Sequence, residues 1–219
     1  MKKNIIVIAT AILFVVLFIV AASIYNKQKD KELSSASLAN MEFMQRDYSP
    51  RLGPPDAKVT IVEFFDPACG TCSAFYPLVK QLMNDHPGKV NLVLRYLPLH
   101  TNSDVIVSIF EGARLQGRFW QTLELAYKTG DSWIEHHTAI PEKFWAQLGG
   151  RGLDMKKLYT DIQSPEIAKR INQDLSDAKQ LKVSKTPGFF VNGKPLVQFG
   201  YEQLKQLVES EVAANYPSE

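Results

Sequence analysis

Two cysteines, Cys69 and Cys72, are the residues in this sequence best suited to carry out chemistry. They lie three positions apart, about one helical turn, which is close enough for a reversible disulfide. The motif Cys69-Gly70-Thr71-Cys72 follows an apolar run typical of a strand and opens a helical pattern. Free backbone N–H groups and the helix dipole at such a position favour a thiolate on Cys69. Because the thiolate is the reactive form in disulfide exchange, the pattern predicts a redox-active disulfide with Cys72 as the resolving thiol.

Two other uses of a cysteine pair fit this spacing less well. A disulfide that closes so short a loop stabilises a fold by about 2 kcal/mol, against about 4.7 kcal/mol for a hundred-residue loop, which disfavours a purely structural bridge. A zinc site would need two more ligands. The histidines, which show no matching spacing, are His86, His100, His136 and His137. The sequence therefore predicts neither a metal site nor a cofactor.

Glu63 is a charged residue in the middle of the apolar strand, six residues before Cys69. If its side chain is buried, desolvation raises its pKa and makes it a candidate proton relay for Cys72. If the strand alternates between a buried and an exposed face, Glu63 points to solvent instead. Asp66, which lies between Glu63 and the cysteines, is interpreted as a turn residue.

Thr186-Pro187 is a second candidate part of the site, because it directly precedes another apolar strand. From the sequence alone a cis bond before this proline is uncommon, at about 5% of such bonds. A cis bond would turn the Thr186 backbone toward the cysteines, where it could pair with a bound substrate strand.

Hydrophobic periodicity predicts the strands and helices that must position these residues. Strands are predicted at 59–65, 90–97, 189–191 and 194–199, and helices at 73–84, 105–115, 119–128, 144–148, 155–162, 164–181 and 201–215. An Asn-Gly turn connects the last two strands. The order indicates an α/β fold, with a small mixed sheet and a helical insertion at about 103–182.

The N-terminus has the composition of a membrane segment. Lys2 and Lys3 precede the mostly apolar run Ile5–Ile24, which as a helix would be about 30 Å long, enough to span a bilayer. A cleaved signal peptide, cut near Ala22, is the alternative, but the apolar run is longer than usual for one. We therefore expect an uncleaved single-pass signal anchor in the cell membrane. Either interpretation places the rest of the chain on the extracytoplasmic, periplasmic side.

The expected domain organisation has three parts. A signal anchor at 1–25 is followed by a juxtamembrane linker at 26–50 and a catalytic domain at 51–217, whose entrance is a turn-rich segment. The 25 basic and 23 acidic residues of the 219-residue chain nearly balance. Because there is no long basic run and no interleaving of basic and aromatic residues, a nucleic-acid partner is not expected.

Several stretches together resemble the DsbA-like branch of the thioredoxin superfamily, in particular its membrane-tethered members. The matching stretches are Gly53–Ala57, Val62–Cys72, Gln116–Trp120 and Thr186–Lys194. A lone CxxC motif is weak evidence, whereas CxxC ahead of a Thr-Pro and a Phe-Phe-Val-Asn-Gly hairpin is specific. The resemblance, which covers nearly all of residues 50–215, implies a thioredoxin-like fold with an inserted helical subdomain.

The same resemblance implies a role for each candidate residue. Cys69 would be the exposed nucleophile, Cys72 its buried partner and Glu63 a buried acid. A cis bond at Pro187 would place Thr186 and Pro187 where substrate binds. The chain departs from the pattern between the cysteines, where strongly oxidising relatives often have Pro and His and this chain has Gly-Thr. It also has Lys185 where Gly is common and Gly188 where Thr is common. These departures do not change the expected fold, but they leave open the direction of electron flow.

The function expected from these features is a disulfide donor for exported proteins that carry thiols. Because the chain has no cysteines besides the pair, an external membrane redox partner must recharge it, and a quinone-linked oxidase is expected. One alternative is a disulfide reductase or isomerase fed by a transmembrane electron donor. The other is a membrane-tethered binding module or chaperone with an inert disulfide.

Overall fold

The computed structural model of the chain describes residues 13–21, 24–25 and 41–217. The chain divides into two compact units, Met1–Asn40 and Met41–Glu219. In the first unit, residues 13–21 and 24–25 are helical and their side chains are exposed. Among the described residues, no helix combines the length and apolar character needed to cross a membrane. The predicted anchor at 5–24 lies partly outside the described residues.

In the second unit the predicted elements occur in the predicted order, which is strand, helix, strand, a block of helices, two strands and a last helix, and a few short elements add to them. Its helices are α1 (Met41–Met44), α2 (Gly70–Asp85), α3 (Ser103–Arg114), α4 (Phe119–Lys128), α5 (Gly130–Trp133), α6 (Pro141–Trp145), α7 (Met155–Asp161), α8 (Pro165–Gln180) and α9 (Tyr201–Asn215). Its strands are β1 (Arg51–Leu52), β2 (Val59–Phe65), β3 (Val90–Tyr96), β4 (Ile134–Glu135), β5 (Thr138–Ala139), β6 (Gly188–Val191) and β7 (Lys194–Pro195).

Strand β2 lies at the centre of the main sheet, whose order among the described residues is β1-β3-β2-β6-β7. It pairs in parallel with β3 and antiparallel with β6, so the predicted mixed sheet is confirmed. Glu63 sits opposite Leu94 on one side and Phe189 on the other. Because β2 and β3 run in parallel, their carboxyl ends meet at one edge of the sheet. This edge is where the cysteine motif begins.

Both faces of β2 are covered, and this decides where its side chains point. Ile61 and Phe65 belong to the large apolar cluster that includes both cysteines and the buried residues of α2. Val62 and Phe64 belong to a second cluster on the opposite face, with α8 residues such as Ala178. A central strand buried on both faces offers no solvent-facing position in its interior.

An ion-pair network under the second face holds α8 against the sheet. The fully buried Arg95 of β3 binds Asp174 at 2.7 Å and Asp177 at 2.6 Å. Arg46, on the segment before β1, also pairs with Asp177 at 2.7 Å. Buried charges of this kind are tolerated only when they are paired and hydrogen-bonded. The network places the C-terminal end of α8, and therefore the loop that leads to β6.

The helices α3 to α8 and the hairpin β4–β5 lie between β3 and β6, where the helical insertion is expected. Ser164 caps α8 with its side chain, as predicted. The last predicted strand, 194–199, is too long, because β7 ends at Pro195, although the Leu196 N–H still donates to the Phe189 carbonyl at 2.9 Å. The small hairpin β4–β5 has no counterpart in the prediction, since two-residue strands carry no periodic signal.

Candidate active site

The turn between β2 and α2 places the two cysteines at a helix N-terminus. Cys69 has an extended backbone, with φ −81° and ψ 111°, and Gly70 begins the helix. The first turn of α2 carries no acidic residue that would compete for its free N–H groups. Cys69 retains 7% of its surface, whereas Cys72, one turn further along, has none. Both cysteines are free thiols in this structure, and of the two only Cys69 keeps any surface in contact with solvent.

Asp66 is the residue that holds this turn in place. Its fully buried carboxylate accepts hydrogen bonds from the backbone N–H of Ala68 at 2.8 Å and of Leu99 at 2.6 Å. It also accepts from the backbone N–H of His100 at 2.8 Å and from the Ser103 hydroxyl. The carboxylate thereby ties the cysteine turn to the loop between β3 and α3.

The backbone of Asp66 contacts both cysteines as well. Its carbonyl accepts from the Cys69 N–H at 3.0 Å, and its N–H donates to the Cys72 sulfur, which lowers the pKa of that thiol against larger opposing effects. From the sequence, Asp66 is predicted only to be a turn residue. Its wider role could have been suspected, because the parallel pairing of β2 and β3 brings the two loops at their carboxyl ends together.

The Cys69 thiol has a pKa lowered to about 5. The largest cause is a hydrogen bond from the Cys72 thiol, and the Thr186 side chain and the backbone N–H groups of Thr71 and Cys72 act in the same direction. Partial burial opposes them. An ordinary cysteine has a pKa of about 8.5, so Cys69 is a thiolate at neutral pH while most cysteines are not.

Cys72 and Glu63 are shifted in the opposite direction. Burial is the main reason that the pKa of Cys72 is raised, and its hydrogen bond to Cys69 and the charge of Glu63 add to the effect. Burial likewise raises the pKa of Glu63 to about 8, with a smaller contribution from Cys69. Oε1 of Glu63 has no hydrogen-bond partner among the described residues. Glu63 is therefore a neutral acid at pH 7, placed beneath the cysteine pair.

The Thr186–Pro187 peptide bond is cis. The Thr186 carbonyl lies 3.4 Å from the Cys69 sulfur and accepts a hydrogen bond from it when Cys69 is in its protonated, thiol form. Thr186 and Pro187 line a cleft of about 620 Å³, which we call the Pro187 groove. The groove is lined by residues Thr71, Leu181–Phe190, Pro195–Val197 and Phe199. Val197 and Phe199 are large apolar residues exposed beside it.

A second cavity, of about 520 Å³, borders Cys69 and is lined partly by helix α4 and hairpin β4–β5. His136 and His137 of the hairpin line it, both with positive φ. The His137 ring stacks on His100 at 5.9 Å, and His100 Nδ1 lies 2.7 Å from the Asp66 carboxylate. The sequence analysis considers these histidines only as metal ligands. No group of three or more potential ligands is arranged to hold a metal within the described residues.

The structure thus brings together every residue that the sequence analysis places in the site. Glu63 lies below the cysteines and Thr186-Pro187 lies beside Cys69. The arrangement supplies a stabilised thiolate, a protonated partner thiol, a buried acid and an open groove. Chemically, these groups can form and break a disulfide and move one proton.

The chain belongs to the thioredoxin family, whose profile it matches over residues 45–210. Its fold is similar to that of a thioredoxin-like oxidoreductase from Silicibacter pomeroyi DSS-3, with a TM-score of 0.67 and 27% identity over 80% of this chain and 97% of the other. BdbD from Bacillus subtilis has the same fold, with a TM-score of 0.65 and 23% identity over 75% of this chain and 92% of BdbD. Within the family, the chain is similar to DsbA-like thiol–disulfide oxidoreductases.

Curated relatives differ in how much of their length this chain covers. It is 28% identical to the probable disulfide bond formation protein D of Bacillus anthracis, over 94% of each chain. It is 29% identical to the Na(+)/H(+) antiporter NhaA of Herminiimonas arsenicoxydans, over 66% of this chain. That match spans only 22% of the antiporter.

The ionisation of Cys69 is testable by alkylation of the reduced full-length chain. We expect the rate with iodoacetamide to rise with pH through a midpoint near pH 5 and then to level off, because only the thiolate reacts. The Cys69→Ser chain, which retains only the buried Cys72, should not be labelled at neutral pH. A midpoint at about pH 8.5, the value of an ordinary cysteine, would contradict this description of the site.

Burial of Glu63 makes the stability of the fold depend on pH. Its pKa is raised from 4.5 to about 8, so its contribution is fully present below about pH 4.5 and is lost as the pH rises through 8. We expect Glu63→Gln to match the reduced wild-type chain near pH 4 and to exceed its free energy of unfolding near pH 9. The difference should be on the order of 5 kcal/mol, measured by urea denaturation.

Glu209→Gln is the matched control for this experiment, since Glu209 is exposed on α9. Its difference from the wild type should stay small and nearly constant with pH. If Glu63→Gln and the wild-type chain lose stability equally between the two pH values, Glu63 does not titrate in the folded interior.

Proposed function

We propose that this protein is a thiol–disulfide oxidoreductase that donates its Cys69–Cys72 disulfide to exported proteins. The observation that carries the proposal is the inequality of the two thiols. Cys69 is partly exposed with a pKa of about 5, and Cys72 is fully buried with a raised pKa. An accessible thiolate beside a protonated resolving thiol is the arrangement that disulfide exchange requires.

Donation of the disulfide proceeds in two exchange steps. A substrate thiolate attacks the Cys69 sulfur, the Cys69–Cys72 bond breaks, and a mixed disulfide between Cys69 and the substrate forms. Cys72 leaves as a thiolate and takes a proton, which Glu63 can supply because its pKa of about 8 keeps it protonated. A second substrate thiolate then attacks the substrate sulfur of the mixed disulfide and releases the Cys69 thiolate. Two electrons pass from the substrate thiols to the cysteine pair.

The low pKa of Cys69 favours the donor direction. A stabilised thiolate exists only in the reduced protein, so it makes reduction of the Cys69–Cys72 disulfide more favourable. It also makes Cys69 a good leaving group in the second exchange step, because thiols of lower pKa leave faster. These effects are supplied here by Cys72, Thr186 and backbone N–H groups, although Gly70-Thr71 replaces the Pro-His of strongly oxidising relatives.

The Pro187 groove is proposed as the binding site for the substrate segment that carries the cysteine. Thr186 and Pro187 form its edge nearest Cys69, and the Thr186 carbonyl is already within 3.4 Å of the sulfur. A substrate strand laid along this edge would bring its own sulfur to Cys69.

We further propose that the apolar run at 5–24 tethers the protein to the cell membrane, with the domain on the extracytoplasmic side. The length of the run supports an uncleaved anchor over cleavage near Ala22. Because Cys69 and Cys72 are the only cysteines, each donated disulfide must be restored from outside. A quinone-linked membrane oxidase is the proposed partner.

The direct test is to trap substrates in cells with the Cys72→Ser chain. Without the resolving thiol, mixed disulfides with Cys69 persist, so exported proteins should appear as reductant-sensitive adducts after acid quenching and non-reducing electrophoresis. The Cys69→Ser chain is the matched control and should form none, because Cys72 is buried. In the same cells, the wild-type pair should be mostly oxidised.

Two outcomes would overturn the proposed function. If Cys72→Ser yields no more adducts than Cys69→Ser, the pair does not exchange with exported proteins. If the Cys69→Ser, Cys72→Ser double variant fully restores the phenotype of a deletion strain, the protein acts without redox chemistry, as a binding module would. A wild-type pair that is mostly reduced in growing cells would favour the reductase alternative.

A further inference from the structure

The charged side chains that line the Pro187 groove are all positive. They are Lys182 and Lys185, and the lining includes neither Asp nor Glu. The second cavity, which borders Cys69, differs, since it carries both Lys128 and Asp131. A segment bound in the groove therefore meets an apolar surface edged with positive charge.

The two lysines are free to act on a ligand. Both are exposed, and within the described part of the chain neither forms an ion pair. Some other lysines of the domain do form ion pairs, as Lys194 does with Glu211 at 2.8 Å and Lys80 does with Glu124 at 2.7 Å. Within the described residues, the positive charge at the edge of the groove is therefore not neutralised by a carboxylate of the protein.

The loop that carries the lysines is held close to the reacting sulfur. Lys182 adopts a left-handed conformation, with φ 57°, just after α8, and the N–H of Val183 binds the Ala178 carbonyl at 2.8 Å. Gly188 lets this loop pack on β6, since a Cβ there would lie 2.5 Å from the Val183 side chain. Lys185 directly precedes Thr186, whose carbonyl contacts Cys69.

From these observations we infer that the Pro187 groove selects substrate segments in which acidic and apolar residues flank the cysteine. The inference rests on the proposed function and specifies its substrate class. Exposed charge pairs contribute little each, so the expected preference is a few-fold in rate. It should also weaken with salt, because salt screens exposed charges.

The test uses the reduced full-length chain in a neutral detergent and three peptides that differ only in flanking residues. Each peptide has one cysteine, activated as a mixed disulfide with nitrothiobenzoate and flanked by Glu, Gln or Lys. Cys69 attacks the peptide sulfur and nitrothiobenzoate leaves. Cys72 then attacks Cys69 and releases the peptide thiol. The protein loses two electrons, and the mixed disulfide gains them.

The release of nitrothiobenzoate, followed by its absorbance, gives the rate. At about 0.01 M salt we expect the Glu peptide to react about 5-fold faster than the Lys peptide, with the rates converging at about 1 M, where the Debye length is about 3 Å. The Lys182→Gln, Lys185→Gln chain should lose the preference. The Lys182→Glu, Lys185→Glu chain should reverse it.

The matched control is Lys169→Gln, Lys179→Gln, which removes the same charge from exposed positions on α8 outside the groove. It should keep the wild-type preference. Alkylation by uncharged iodoacetamide checks that Cys69 is equally reactive in every variant. If wild-type and Lys182→Gln, Lys185→Gln chains show the same ratio of Glu to Lys peptide rates, the inference is wrong and the oxidoreductase stands. If no peptide releases nitrothiobenzoate, the proposed function itself fails.

Discussion

The buried carboxylate of Asp66 is the interaction on which the site depends. It binds backbone N–H groups of the cysteine turn and of the loop after β3, and so joins two segments that are more than thirty residues apart in sequence. Because these bonds satisfy a fully buried charge, the turn has little freedom to relax. The position of Cys69 at the start of α2, and of the Cys72 sulfur against the Asp66 backbone, follows from this constraint.

Unequal solvation then separates the properties of the two thiols. Cys69 keeps contact with solvent and receives hydrogen bonds, whereas Cys72 sits above Glu63 in the apolar interior. Glu63 lowers the stability of the folded state, because its buried Oε1 has no hydrogen-bond partner in the described structure. A buried carboxyl of this kind is unfavourable for folding but provides a protonated group next to a leaving thiolate. The same physical cause, desolvation, thus sets both the cost of the site and its capacity to transfer a proton.

How far the sequence could predict this arrangement depended on the distance between interacting residues. The cysteine spacing and the strand Val59–Phe65 could be recognised from neighbouring residues alone, and the structure has that strand with the same bounds. The orientation of Glu63 could not be predicted in this way, because alternation along a strand identifies a solvent-facing side only if the strand has one. The role of Asp66 depended on partners such as Ser103, which become neighbours only once β2 and β3 pair in parallel. Hairpin β4–β5, which brings His136 and His137 beside Cys69, was too short to leave a pattern.

The central claim is that the stabilised Cys69 thiolate makes the pair a disulfide donor, and its equilibrium potential tests this most directly. The full-length chain would be equilibrated in glutathione buffers of defined ratio, and its cysteines trapped with an alkylating agent and counted. We predict a potential of about −120 mV, the value for DsbA, whose reduced form is stabilised. A potential of about −270 mV, the value for thioredoxin, would contradict this prediction and would make the protein a reductase.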